Sequence, residues 1–247
     1  VENKGGFKSK VVVRVEVRVH SHIIGEGQSE PFDVDTDQSH ESLARDIPLK
    51  LDTEFLTKVE WNDPGFLVAQ LIFNGRVIAK HEIELTVLAA RQWVACEAIV
   101  DLPPGVGAPI DQSSMALIAA FVQLQSPAIK DLVASARPYL EGITDFVGYQ
   151  AQSAVAVGLQ VRALTQAMRQ AQIVYHNPEP GWVNAKEAGQ TIRTPEDVLV
   201  GKEGTCLDTT VVLAAALERV DIRPLIVVIE QHAFLAYWRG EASLKQS

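Results

Sequence analysis

An α+β fold, with an antiparallel β-sandwich-like region first and a helix-then-strand region after it, is predicted by three features of this 247-residue chain. Valines at 11, 13, 15, 17 and 19 recur at the period of a half-buried strand. Asn74-Gly75 joins two runs of strand-forming residues, and Asn-Gly is the pair that best tolerates the positive φ angles of a type I′ hairpin turn. From Ser113 the apolar period becomes helical, and beyond Val220 it returns to strand character.

Taken in order, residues 1–92 read as a small antiparallel β domain. Its first strand, Lys10–Val19, puts Arg14, Glu16 and Arg18 on the wet side. Gly25–Asp37, rich in Gly, Ser, Asp and Pro, reads as a loop, and a further strand passes through Ile47–Leu51. Phe66–Phe73 and Arg76–Val87 are the arms of the Asn-Gly hairpin. Leu102-Pro-Pro-Gly-Val-Gly-Ala-Pro109 marks a linker over 93–111. Residues 112–247 then form the α+β domain. Ser113–Gln123 predicts one helix, and Ser126-Pro127 starts a second that runs to Tyr139, proline suiting the first helical position. A long helix is predicted from Tyr149 to Tyr175, then a loop over Asn177–Trp182. Thr194-Pro195-Glu-Asp caps a short helix leading into the Gly201–Thr205 turn. Both ends read as cuts in a longer polypeptide, the second domain being truncated at its C-terminus.

Composition narrows the classes of function. Apolar content of 47% and charged content of 21% fit a folded globular protein. A net charge of −9 with no cluster of Lys or Arg gives this stretch no electrostatic reason to bind nucleic acid. No apolar run approaches the ~20 residues that span a bilayer. The two cysteines, Cys96 and Cys206, suggest no disulfide framework and a reducing, cytoplasmic home.

The chemistry concentrates in Gly201–Val220. Thr205 is the predicted N-cap and Asp208 the acidic partner of a capping box, which puts Cys206 in the first turn of the helix. There the dipole and free N–H groups favour a thiolate by roughly 0.3–1 kcal/mol. The helix is apolar almost all round, so it belongs inside a domain. His232 lies 26 residues after Cys206, at the start of the second of two strands joined by a tight turn at Glu230-Gln231. A cysteine at a helix start and a histidine on a following strand suit a thiol nucleophile and its base. Asp208, two residues from Cys206, points away from it on a helix and reads as a cap. The Cys206 backbone N–H is the natural oxyanion donor; Asn177 and Gln190 are two carboxamides that could add another, with no spacing to favour either. Glu241, the one acid after Trp238, is a poor candidate for orienting His232. His20 and His22 would share one face of a strand, a conceivable metal pair without the remaining ligands of a recognisable site. His81 reads as solvated, and Trp182 and Trp238 as core or cleft wall.

Gln190-Thr-Ile-Arg-Thr-Pro195-Glu-Asp-Val-Leu199, Gly204-Thr-Cys206-Leu-Asp208 and His232-Ala-Phe together resemble the transglutaminase-like branch of the papain-like fold. The resemblance is to the domain near the N-terminus of large bacterial proteins that also carry superfamily 1 helicase and nuclease-like parts. It runs from about Gln190 to Trp238 and is weaker over Leu117–Ile129. It implies acyl transfer by Cys206 and His232, most simply hydrolysis of a peptide or isopeptide bond in a peptide or protein substrate. No metal or organic cofactor is implied, and the partners would be other domains of the same polypeptide. The alternative it carries is a catalytically inactive recognition or regulatory module of a helicase- or nuclease-containing protein, with a role in defence against foreign DNA.

Overall fold

The computed structural model describes residues 8–34, 47–94, 115–177, 189–229 and 232–241. Helices and strands are mixed along the chain, which divides into two compact units, Val1–Ala90 and Arg91–Ser247.

In the first unit β1 (Lys8–Val19) is central. It pairs antiparallel with β2 (His22–Gln28) on one side and β5 (Asp63–Phe73) on the other. β3 (Phe32–Val34) pairs with its N-terminal end; β4 (Lys50–Leu51) and β6 (Arg76–Val87) complete a sheet of order β4-β2-β1-β5-β6. The alternating valines face one side as predicted. Val11 and Val13 pack with Val34 and Leu71, and Val19 with Ile24 and Val87. On the other face Glu16 is buried, because the Arg18 Nε donates to its carboxylate at 2.9 Å and covers it. Asn74 and Gly75 have φ of 49° and 73°, and the turn aligns Phe73 with Arg76.

Of the expected loop at Gly25–Asp37, residues 25–28 and 32–34 are strand, and 35–37 lie outside the described residues. Gly27 misled the composition argument: a Cβ there would lie 2.5 Å from the Pro48 carbonyl oxygen, so the glycine marks close approach within a sheet. The two histidines also part company. His20, with φ of 53°, sits in the β1–β2 turn, while His22 pairs with Asp52 at 2.9 Å and stacks on Phe55 of the short α1 (Thr53–Leu56).

The second unit begins with β7 (Gln92–Val94), which pairs antiparallel with β9 (Gly189–Thr191). Residues 92–94 therefore belong to this unit; the rest of the expected linker, Cys96 included, lies outside the described residues. The expected helix at Ser113–Gln123 contains a 3-10 segment, Leu117–Phe121. α2 (Pro127–Ala136) starts as predicted, with the Ser126 hydroxyl accepting from the Ile129 N–H. The long helix is shorter than its apolar period suggested. α3 (Ala154–Gln170) is bracketed by Gln152 and Gln172, with φ of 47° and 54°, left-handed backbone that ends helical hydrogen bonding. Beyond it, β8 (Val174–Tyr175) pairs parallel with β10 (Glu203–Gly204).

α4 (Pro195–Leu199) and α5 (Cys206–Arg219) follow, then the antiparallel pair β11 (Pro224–Ile229) and β12 (His232–Tyr237). Ile229 faces His232 in the register of the pair; the expected turn residues 230–231, like Trp182, lie outside the described residues. α5 is the hub. Val212, Ala215, Ala216 and Leu217 pack against α2, α3 and α4, and each fully buried leucine contributes roughly 1.5–3 kcal/mol. Among the described residues no helix is long and apolar enough to cross a membrane.

Candidate functional site

The sequence T-x-x-D occurs twice at helix starts, and both copies form complete capping boxes. Thr194 and Asp197 close the start of α4, Thr205 and Asp208 that of α5. The turn between them is forced by packing: a Cβ at Gly201 would fall 2.2 Å from the Asp197 carbonyl oxygen, so nothing larger than glycine lets β10 follow α4 so closely.

Asp208 is fully buried, yet none of its negative charge goes uncompensated. It accepts from the backbone N–H of Thr205 and of Arg193, both at 2.8 Å, and from Arg193 Nη1 at 3.1 Å. Arg193 continues to Glu203 at 3.4 Å, and Glu203 to His176 Nε2 at 3.2 Å. The assignment of Asp208 to capping holds, with the addition of an arginine that sequence spacing did not single out.

Cys206 occupies the first position of α5 and is 5% exposed. It packs with Trp93, Ile118, Ile192, Leu207, Val211 and Ala233. Tyr175 on β8 reaches it: the phenol pKa is raised by desolvation, by the charge of Cys206 and by a hydrogen bond to its sulfur. The Thr210 hydroxyl, 2.7 Å from the Cys206 carbonyl and 3.2 Å from that of Ala233, ties α5 to β12.

His232 is exposed and shares a face of β12 with Phe234, their rings stacked at 6.4 Å. Strand alternation puts Ala233 on the opposite face, and Ala233 is the residue that packs with Cys206. Glu241 lies past the strand and offers its backbone carbonyl to Arg223 at 3.2 Å. Trp238, half-buried, accepts from the Tyr149 hydroxyl at 2.9 Å. Comparison with protein-family models, curated proteins and solved structures returned no match.

A cleft of about 600 Å³ opens beside the start of α5. Arg91, His176, Gln190, Arg193, Glu203 and Thr205 line it, as does Asn177. Gln190 Nε2 donates to Thr205 Oγ1 at 2.8 Å. Tyr175, His176 and Glu203 escaped the sequence reading because the parallel β8–β10 pairing that gathers them leaves no periodic signal in two-residue strands. Arg193 sat inside the Gln190–Leu199 motif and could have been found by asking what neutralises a buried Asp208. Among the described residues no group of three His, Cys, Asp or Glu side chains is arranged to hold a metal ion.

Proposed function

We propose that the second unit is a transglutaminase-like, papain-like domain with a thiol centre for acyl transfer, and that the first is a sandwich-like accessory domain. Both would serve a larger cytoplasmic bacterial protein. The Cys206 thiolate attacks an amide carbonyl, and an imidazole, His232 in this reading, protonates the departing amine. Water then hydrolyses the thioester, releasing the carboxylic acid and restoring the thiol. The substrate is a peptide or isopeptide bond. The seat of the thiol supports this: Cys206 opens a capped helix, and a cleft begins at the preceding residue.

A second reading, a catalytically silent recognition module regulating another domain, has one observation in its favour. His232 turns with Phe234 to the face of the hairpin away from Ala233 and Cys206, and the thiol is nearly closed from solvent. Alkylation by iodoacetamide across pH, mapped to Cys206 by mass spectrometry, separates the two. The catalytic reading expects fast labelling below about pH 7 and a profile moved to higher pH by His232→Ala. Labelling at the rate and pH of an ordinary thiol leaves the recognition module.

A further inference from the structure

Gln190 is 8% exposed and lines the cleft, yet only half of its amide is engaged. The nitrogen end donates to Thr205, whose Oγ1 also accepts from the Asp208 N–H at 3.2 Å. The oxygen end, Oε1, is buried without a hydrogen-bond partner, alone in this among the buried side-chain polar atoms of the described residues. Burying a carbonyl oxygen unpaired carries a real free-energy cost, so an unmatched acceptor at a cleft marks a place where a donor arrives from outside.

The charges around it define what kind of donor. Arg91 is paired with Asp197 at 2.6 Å, Arg193 with Asp208 and Glu203, and His176 with Glu203. Each of these ionic groups already has an opposite partner, so none stands free to attract an ammonium or a carboxylate. What remains unmet is one neutral acceptor. We infer that Gln190 Oε1 receives the N–H of a neutral amide, so that the cleft holds the N–H side of a peptide group next to Thr205 and Cys206. This rests on the peptide-directed reading of the site. It makes Gln190 a positioning residue: one N–H of its amide is tied to Thr205, and its oxygen takes the N–H of the peptide group.

The test uses the full chain, ¹⁵N-labelled, titrated with N-methylacetamide and separately with N,N-dimethylacetamide, which lacks the N–H. N-methylacetamide is expected to move the Gln190 side-chain amide signals and the Thr205 and Arg193 backbone signals. The dimethyl compound should bind more weakly by roughly three- to tenfold, the worth of one neutral hydrogen bond. Gln190→Glu, which keeps an acceptor, should retain the preference; Gln190→Met should lose it while signals elsewhere stay in place. Equal binding of the two amides would mean that the free end is a donor or merely apolar, and would overturn the inference. No response to either would mean that an internal water already holds the acceptor, and would overturn it too. Cys206 alkylation reads the thiol separately. An inert thiol with the amide preference intact removes the hydrolase and keeps the acceptor; a reactive thiol without the preference does the reverse.

Discussion

Gln160 and Gln190 are both buried in the second unit, at 0% and 8% exposure, and their surroundings treat the same amide differently. Gln160, on α3, accepts from the backbone N–H groups of Val147 and Gly148 at 2.8 Å each. Its nitrogen donates to the carbonyls of Gly148 at 3.2 Å and Ala156 at 3.3 Å. Both ends are used, by main-chain groups of the Val147–Gly148 turn and of the first turn of α3. Gln190 has one bond and one idle oxygen. A buried amide that closes on its own chain is a clamp; one left half-open beside a cleft reserves its second half for something that is not always there.

The largest test of this contrast is to remove each amide in turn. Gln160→Leu leaves two N–H groups and one carbonyl of the Val147–Gly148 turn without partners, those of Gly148 in the interior. The expected loss is roughly 3 kcal/mol or more, since each orphaned group costs about 1–3 kcal/mol. Gln190→Leu gives up one neutral hydrogen bond but also removes an unmatched acceptor, and should cost under about 1 kcal/mol. Urea unfolding followed by circular dichroism at 222 nm reads the second unit, which holds α2 to α5. Equal losses for the two variants would break the comparison, because Gln190 would then be as structural as Gln160.

How far the sequence foretold these regions follows from the kind of signal each gives. The Thr194 and Thr205 capping boxes, the Ser126-Pro127 start and the Asn74-Gly75 turn are local chemistry written in adjacent residues, and the structure has all four. β2 was hidden by its glycines, of which Gly27 is needed for close packing against Pro48. The ends of α3 were hidden because Gln152 and Gln172 are ordinary helix formers that here adopt positive φ. For the site, Cys206 was legible from its cap, while Tyr175, His176 and Glu203 depend on pairing between segments far apart in the chain. His232 shows the limit most plainly. Its sequence distance from Cys206 is readable, but its side is fixed by strand parity relative to Ala233, which a motif does not state.

A middle-sized effect separates the two capping boxes. Thr194→Ala should cost about 1 kcal/mol, the usual price of an N-cap. Thr205→Ala loses the same cap and also the acceptor for Gln190 Nε2, so the expected cost is nearer 2 kcal/mol. In a Gln190→Leu background the extra cost should vanish, leaving Thr205→Ala close to Thr194→Ala. That coupling, measured as a double-mutant cycle by urea unfolding, sharpens the contrast at its weak end. A cycle showing no coupling would mean that the Gln190–Thr205 bond contributes nothing and that Gln190 is held by packing alone.

The smallest expected effect distinguishes the charged box from both neutral amides. Burial raises the pKa of Asp197, but its hydrogen bonds from Thr194 and the nearby Arg91 more than reverse this, leaving it below the ordinary value of 3.8. A carboxyl with a depressed folded pKa stabilises the fold fully above its unfolded pKa and loses that contribution as pH falls through the folded one. The loss therefore belongs below about pH 4, and it is modest because the carboxylate is well exposed to screening solvent. Asp197→Asn should flatten the acid limb of the stability curve there. Gln160→Leu should lower that curve by the same amount at every pH, because no proton is gained or lost at the site. Parallel limbs for wild type and Asp197→Asn between pH 5 and the acid transition, measured by urea midpoints, would show that the α4 box carries no linked proton and that its arginine is an ornament of the surface.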